Sequence, residues 1–229
     1  MAQLTVSDQI TKLEHHLREL ELEHNREPHS VKLLAVSKTR QISEVKAAIA
    51  AGQAAFGENY AQELSDKSLE IGPVGVDWHF IGALQSNKAK LIAQHANWIH
   101  TIDRLKIAKR LQHNLAGTNK VLQVCIQLNL DQEETKSGIS LNELPALAEQ
   151  ISELENLELR GLMSIPKPVS DHASQRRNFA KVRHALEQLN QTGLALDTLS
   201  MGMSGDYEAA IAEGATIVRV GTAIFGKRR

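Results

Sequence analysis

Residues 31–52 read VKLLAVSKTRQISEVKAAIAAG, and this stretch sets the architecture. Val31 to Ser37 is a short apolar run, the pattern of a strand buried on both faces. Ile42 to Ala51 follows as a helix and is closed by Gly52, a helix stop. The same unit recurs downstream. Strands are predicted at Ala54–Gly57, Trp78–Ile81, Trp98–Ile102, Val121–Leu130, Leu157–Ile165, Thr198–Met203 and Thr216–Val220. Helices are predicted between them: a stretch through Leu64; Leu84–Ala93; one capped by Asp103 and ended by Gly117; one behind the Ser140–Glu143 capping box; one opened by Asp171; and a short one capped by Asp206. A Gly221-Thr222 turn follows the last strand.

Strand and helix in strict alternation demand parallel strands joined by crossover helices. Eight such units fit a closed α/β barrel, a (β/α)8 TIM barrel, better than an open sheet. The 229 residues suit one such barrel as a single domain. An extra N-terminal helix is predicted over Val6–Leu22, with Val6, Ile10, Leu13, Leu17 and Leu20 on one stripe and Thr5 or Ser7 as its cap.

Composition narrows the function classes. The chain is 42% hydrophobic and 23% charged, with a formal net charge of -1, so it carries no overall nucleic-acid footprint. No apolar stretch is long enough to span a bilayer, and the polar N-terminus carries no signal core. The one cysteine, Cys125, sits in an apolar run and reads as a core residue, with no disulfide and no cysteine-based metal site available to it. A cytoplasmic, reducing compartment fits all of this.

In a β/α-barrel the working residues lie at the carboxyl ends of the strands. Lys38 ends the first strand behind an apolar run. Partial desolvation there would lower the pKa of its amine and make it a nucleophile toward an aldehyde; a lysine that merely snorkels into water is the alternative. Ser204, Gly205 and Asp206 precede a helix, and Gly221 and Thr222 follow the last strand. Such groups either cap helices or seat a phosphate, and the loops after the last two strands are a frequent phosphate seat in this fold. Arg219 alternates with Val218 and Val220, which turns it inward. It needs a partner there, either a carboxylate or a ligand's ring nitrogen or phosphate. An aldehyde-binding lysine, a phosphate seat and an arginine between them describe one ligand, pyridoxal 5'-phosphate.

Six segments sharpen that expectation: AVSKTR (35–40), FGENYAQE (56–63), WHFIGALQSNK (78–88), GLMSI (161–165), LSMGMSGDYEAAI (199–211) and VRVGTAIFG (218–226). In type and order they resemble the pyridoxal phosphate homeostasis protein family, known as YggS/PROSC. The resemblance implies a barrel like the N-terminal domain of alanine racemase, with Lys38 forming the Schiff base. It further implies that Ser204, Gly221 and Thr222 hold the phosphate, that Arg219 faces the pyridine nitrogen, and that Asn59 and His79 lie close to the cofactor. Neither Tyr60 nor Tyr207 stands where a racemase of this fold needs its second acid/base. The expected role is storage, buffering and delivery of the cofactor to apo-enzymes by a monomer, without a committed reaction. A weak amino-acid racemase is the alternative. Lys136 and the basic tail Lys227–Arg229 are candidates for a part in release, on charge alone.

Overall fold

The computed structural model describes residues 4–73, 75–131 and 137–226; Lys136 and the basic tail lie outside them. Eight parallel strands close into a barrel in chain order: β1 Lys32–Val36, β2 Ala55–Glu58, β3 Asp77–Phe80, β4 Trp98–Ile102, β5 Leu122–Leu128, β6 Leu157–Ser164, β7 Thr198–Ser200 and β8 Ile217–Val220. The closing seam pairs Leu33 with Val218 and Ala35 with Val220. Around it run α1 Val6–Glu23, α2 Ile42–Ala50, α3 Ala61–Ile71, α4 Ala89–His95, α5 Leu105–Leu115, α6 Leu144–Ser152, α7 His172–Gln191, α8 Tyr207–Ala212 and α9 Thr222–Phe225.

Each strand sends alternate side chains outward into one continuous apolar layer shared with the helices, as the period of two requires. The inward set is stacked by height. At the amino end the Arg160 guanidinium lies 5.3 Å from the centroid of the Trp98 ring, Lys32 Nζ lies 5.9 Å from it, and Arg160 pairs with Asp197. Leu34, Ala55, Trp98, Cys125, Met163 and Ile217 form an apolar middle. At the carboxyl end the lumen turns polar, and the site is built there. Cys125 is fully buried, and burial pushes its thiol up to about 12.

The extra helix α1 is present and is capped by a reciprocal Thr5–Asp8 box. It buries Ile10, Leu13, Leu17 and Leu20, and also Glu21, which accepts from Val31 N at 2.7 Å and His29 N at 2.9 Å at the entry to β1.

Several boundaries differ from the sequence reading, each for a local reason. The segment expected as one helix from Leu84 begins as a 3-10 turn at Ser86–Lys88 and becomes α4 only at Ala89. Asp103 does not cap α5; its carboxylate takes a bond from Arg104 at 2.8 Å instead. β7 ends at Ser200, although Met201 N still donates to Ile217 O at 3.1 Å and Gly202 O accepts from Arg219 N at 2.9 Å; the chain then turns over residues 203–206, where Asp206 Oδ1 accepts from Met203 N at 2.6 Å. Asp206 therefore precedes α8 without capping it by its side chain. Gly221 and Thr222 open a helical turn, α9, in place of a simple reverse turn.

Candidate functional site at the carboxyl end of the barrel

Lys38 lies two residues beyond the end of β1 and is half-buried. Alternation from Leu34 through Val36 aims it at the lumen, while Ser37 points outward, where its hydroxyl donates to Glu58 at 2.6 Å. Thr39, next in line, has φ 61°. For a β-branched residue this left-handed backbone is an outlier worth about 1–3 kcal/mol of strain, so surrounding contacts must enforce it.

Strand pairing decides what stands beside Lys38. Val36 is in register with Gly57 of β2, and Ala35 with Val220 of β8. Lys38 therefore emerges between Asn59 on one side and Gly221 with Thr222 on the other. Gly221 is glycine for a steric reason: a Cβ there would sit 3.1 Å from Val36 O and 3.3 Å from Val36 Cβ. Ser204 occupies the neighbouring turn after β7, and both it and Thr222 are exposed.

Arg219 is buried within the barrel. It has no carboxylate partner among the described ion pairs. Its guanidinium donates to Ser200 O at 2.5 Å, Ser200 Oγ at 2.8 Å and Ser164 O at 2.9 Å. Burial lowers its pKa to about 10, with Asp206 pulling the other way, so it remains a cation at neutral pH.

From Arg219 a chain of contacts crosses the lumen. His100 Nδ1 lies 2.7 Å from Ser200 Oγ, and His100 Nε2 lies 2.8 Å from His79 Nδ1. Burial forces both rings to be neutral, with further repulsion of each from a neighbouring positive charge; His100 falls to about 3 and His79 well below 6.5. The arrangement that uses every hydrogen runs one way. Arg219 donates to Ser200, Ser200 to His100 Nδ1, and His100 Nε2–H to His79 Nδ1. His79 Nε2 is then left holding a hydrogen, while its ring stacks on Trp98 at 5.4 Å and 7°.

His79 Nε2 is also buried without a partner in the protein, as are Asn59 Oδ1 and Ser164 Oγ. These three atoms belong to the carboxyl ends of β3, β2 and β6. Buried polar atoms are costly when unpaired, so three at one end of a barrel call for a bound molecule that carries donors and acceptors. A cavity of about 230 Å³ opens beside Asn59, lined also by Ile81, Gly82, Thr101, Gln127 and Asn129; His79 and Ser164 lie outside its lining. A small ring compound fits this space better than a large ligand. Pyridoxal 5'-phosphate has the groups these residues can serve: an aldehyde for an amine, a ring nitrogen, a hydroxyl and a phosphate.

The structure thus gathers Lys38, Asn59, His79, Ser204, Arg219, Gly221 and Thr222 at one end of the barrel, over β7, β8, β1, β2 and β3. His100, Ser164 and Ser200 stand out only in the structure, although the strand pattern puts them at carboxyl ends. The strand pattern puts Glu58 at the carboxyl end of the second strand, but nothing in it marks Glu63 or Lys67 for chemistry. Among the described residues, no group of three histidines, cysteines or carboxylates could hold a metal ion, and no helix is long and apolar enough to cross a membrane.

Known proteins share both fold and sequence with this chain. The family described as alanine racemase, N-terminal domain, matches residues 9–229. A Pseudomonas aeruginosa protein named pyridoxal phosphate homeostasis protein is 50% identical over 224 residues, covering 98% of this chain and 96% of its own. An Escherichia coli protein of the same name is 51% identical over 206 residues, covering 89% and 88%. The structure of PipY from Synechococcus elongatus, described with PLP bound, matches with TM-score 0.85 at 36% identity, over 97% of this chain and all of that one. Alanine racemase from Corynebacterium glutamicum shares the fold at TM-score 0.65 and 21% identity, over 97% of this chain and 61% of its own. Half-identical relatives matched over nearly their whole length, on a barrel of the alanine racemase type, make this chain a member of the pyridoxal phosphate homeostasis protein family.

Proposed function

We propose that the chain binds pyridoxal 5'-phosphate through a covalent link to Lys38 and keeps it for storage, buffering and delivery, without a committed reaction. The observation that carries this reading is the arrangement of one continuous arc of the mouth. Lys38 emerges between Gly221 and Asn59, with the buried cation of Arg219 and three unpartnered polar atoms at the same end. The cofactor described in PipY, a 36% identical structure, supports the choice of ligand.

Lys38 Nζ is the linking amine. It would hold the cofactor through its aldehyde carbon, with loss of water. Ser204, Gly221 and Thr222 hold the phosphate, where close backbone approach and hydroxyls suit an anion. Arg219 faces the ring nitrogen. Asn59 and His79 meet the remaining polar edge with an acceptor and a donor. The cofactor brings an aldehyde and an electron-withdrawing ring; a fixed arginine cation at the nitrogen keeps that nitrogen unprotonated and restrains the withdrawal.

The tyrosines support a carrier over a racemase. Tyr207 packs edge-on against His16 of α1 at 6.0 Å, and Tyr60 is 56% exposed at the start of α3. Neither is held inside the lumen opposite Lys38. Apo-enzymes that need the cofactor are the proposed acceptors. Exchange of the amino-acid Cα proton for deuterium tests this directly. The loaded protein is expected to exchange no faster than free cofactor, and stereochemically productive exchange above that level would contradict the carrier reading.

A further inference from the structure

We propose that Lys67, acting with Glu58 and Glu63, pins the backbone on both sides of Lys38 and so sets where Lys38 presents its amine. Lys67 is then a positioning residue for cofactor capture. The inference rests on the role assigned to Lys38 above.

Lys67 comes from α3 with its side chain only 8% exposed. Its three ammonium protons have three acceptors: Ser37 O at 2.7 Å, Glu58 Oε1 at 2.8 Å and Glu63 Oε2 at 3.1 Å. Glu58 Oε1 also accepts from the Ser37 hydroxyl at 2.6 Å, and Glu63 Oε2 from Thr39 N at 2.7 Å. Residue 37 is thus held by two side-chain bonds and residue 39 by one. Lys38 is the only residue between them.

A buried lysine with two carboxylates is an expensive way to fasten a helix to a strand, because well-packed apolar residues usually do it as well or better. Burial pushes the Glu58 carboxyl up against the pull of Lys67 and Ser37. Burial also acts to raise Glu63, but its bonds from Thr39 and Lys67 bring it below the ordinary carboxylate value. Glu63 therefore stays ionised as the acceptor for Thr39. Thr39 keeps its left-handed φ of 61° where the triad's bond to its amide ends. The triad's cost and the backbone strain meet at the two peptide units that flank one lysine. This coincidence separates a positioning device from a general staple.

The test uses the full chain and four variants: Lys67→Met, Glu63→Ala, Glu63→Gln and, as control, Lys46→Met, which removes an exposed pair with Glu70. Two quantities are read with pyridoxal 5'-phosphate and with pyridoxine 5'-phosphate, which has the ring and phosphate but no aldehyde. They are the rate at which the near-visible band of the covalent link appears and the equilibrium affinity for the aldehyde-free compound. Hydrogen exchange of the Thr39 amide is followed without either compound.

Lys67→Met and Glu63→Ala are expected to form the link at least about tenfold more slowly. Their affinity for pyridoxine 5'-phosphate should stay within about twofold, and the Thr39 amide should lose protection. Glu63→Gln, which keeps an acceptor oxygen, should recover most of the rate, and the control should match the parent protein. Should Lys67→Met fail to fold, Glu63→Ala decides, since Glu63 is partly exposed and its loss leaves the Lys67–Glu58 pair whole. Unchanged link rates in the folded variants overturn the proposal. So does an equal fall in link rate and in pyridoxine 5'-phosphate affinity, which marks a purely structural triad. If the parent protein itself forms no link on Lys38, the failure belongs to the underlying assignment and this inference falls with it.

Discussion

Asn59 shows at the scale of one residue how a binding site is stored in a fold. Its Oδ1 is buried and has no partner in the protein, so the folded chain carries the cost of an unmade bond. Asn59→Ala removes that cost. Its unfolding free energy in urea, without cofactor, should equal the parent's or exceed it by up to about 1 kcal/mol, while cofactor retention weakens about tenfold. A clear loss of stability with retention unchanged would make Asn59 a structural residue. Cys125 is the opposite case, a reactive atom placed where it does nothing. With its thiol buried and raised to about 12, it should stay unmodified by an aromatic disulfide reagent until the chain is unfolded. Rapid labelling of the native protein would contradict the apolar middle of the barrel. The inward aim of the two charged residues is legible in the sequence: Lys38 shares its face with Leu34, and Arg219 with Ile217, by the strand period alone. The relay partners are not legible in the same way. His79 and His100 are 21 residues apart, and His100 and Ser200 are 100 apart, so only barrel closure brings them together.

At the scale of the element, the loop after β3 packs closely against the end of β2. A Cβ on Gly82 would lie 1.9 Å from Asn59 O, which belongs to the backbone and cannot swing aside. Gly82→Ala should therefore cost about 3 kcal/mol in urea unfolding and displace the end of β2. A cost near zero would mean that the loop after β3 does not lie across Asn59. The helices and strands themselves are legible because apolar runs and helical stripes announce them. Local competition for partners is not. Asp103 falls one residue short of the cap position, which Arg104 occupies, and its carboxylate bonds that arginine, while Asp206 serves the turn before α8 instead of the helix. Lys67 is hidden for a related reason. In AQELSDKSLEI it sits among polar residues that read as a solvated face, and only the packing of α3 on β2 and β3 turns it inward.

At the scale of the whole molecule, the buried histidine pair ties stability to pH. Both rings are neutral in the folded chain because burial disfavours their charged forms, whereas the unfolded chain protonates them near 6.5. Their folded pKa values are depressed, so the unfolded state binds more protons below 6.5. Stability is thus complete above that pH and falls as pH drops, at up to about 1.4 kcal/mol per pH unit for each ring. Glu58, raised by burial, gives a slope of the opposite sign above its ordinary value of 4.5 and partly offsets the loss. Urea unfolding should show about 2 kcal/mol less stability at pH 5.5 than at pH 7.5, and His100→Asn, which leaves His79 in place, should remove about half of the difference; a flat parent profile would place charge on the relay. The central claim remains the amine at the barrel mouth. Its most direct test is borohydride reduction of the protein after incubation with pyridoxal 5'-phosphate, followed by mass mapping of the modified peptide. The account predicts a near-visible band that borohydride abolishes, a fixed adduct on Lys38, and neither in Lys38→Ala. An adduct on another lysine, or none at all, would contradict it.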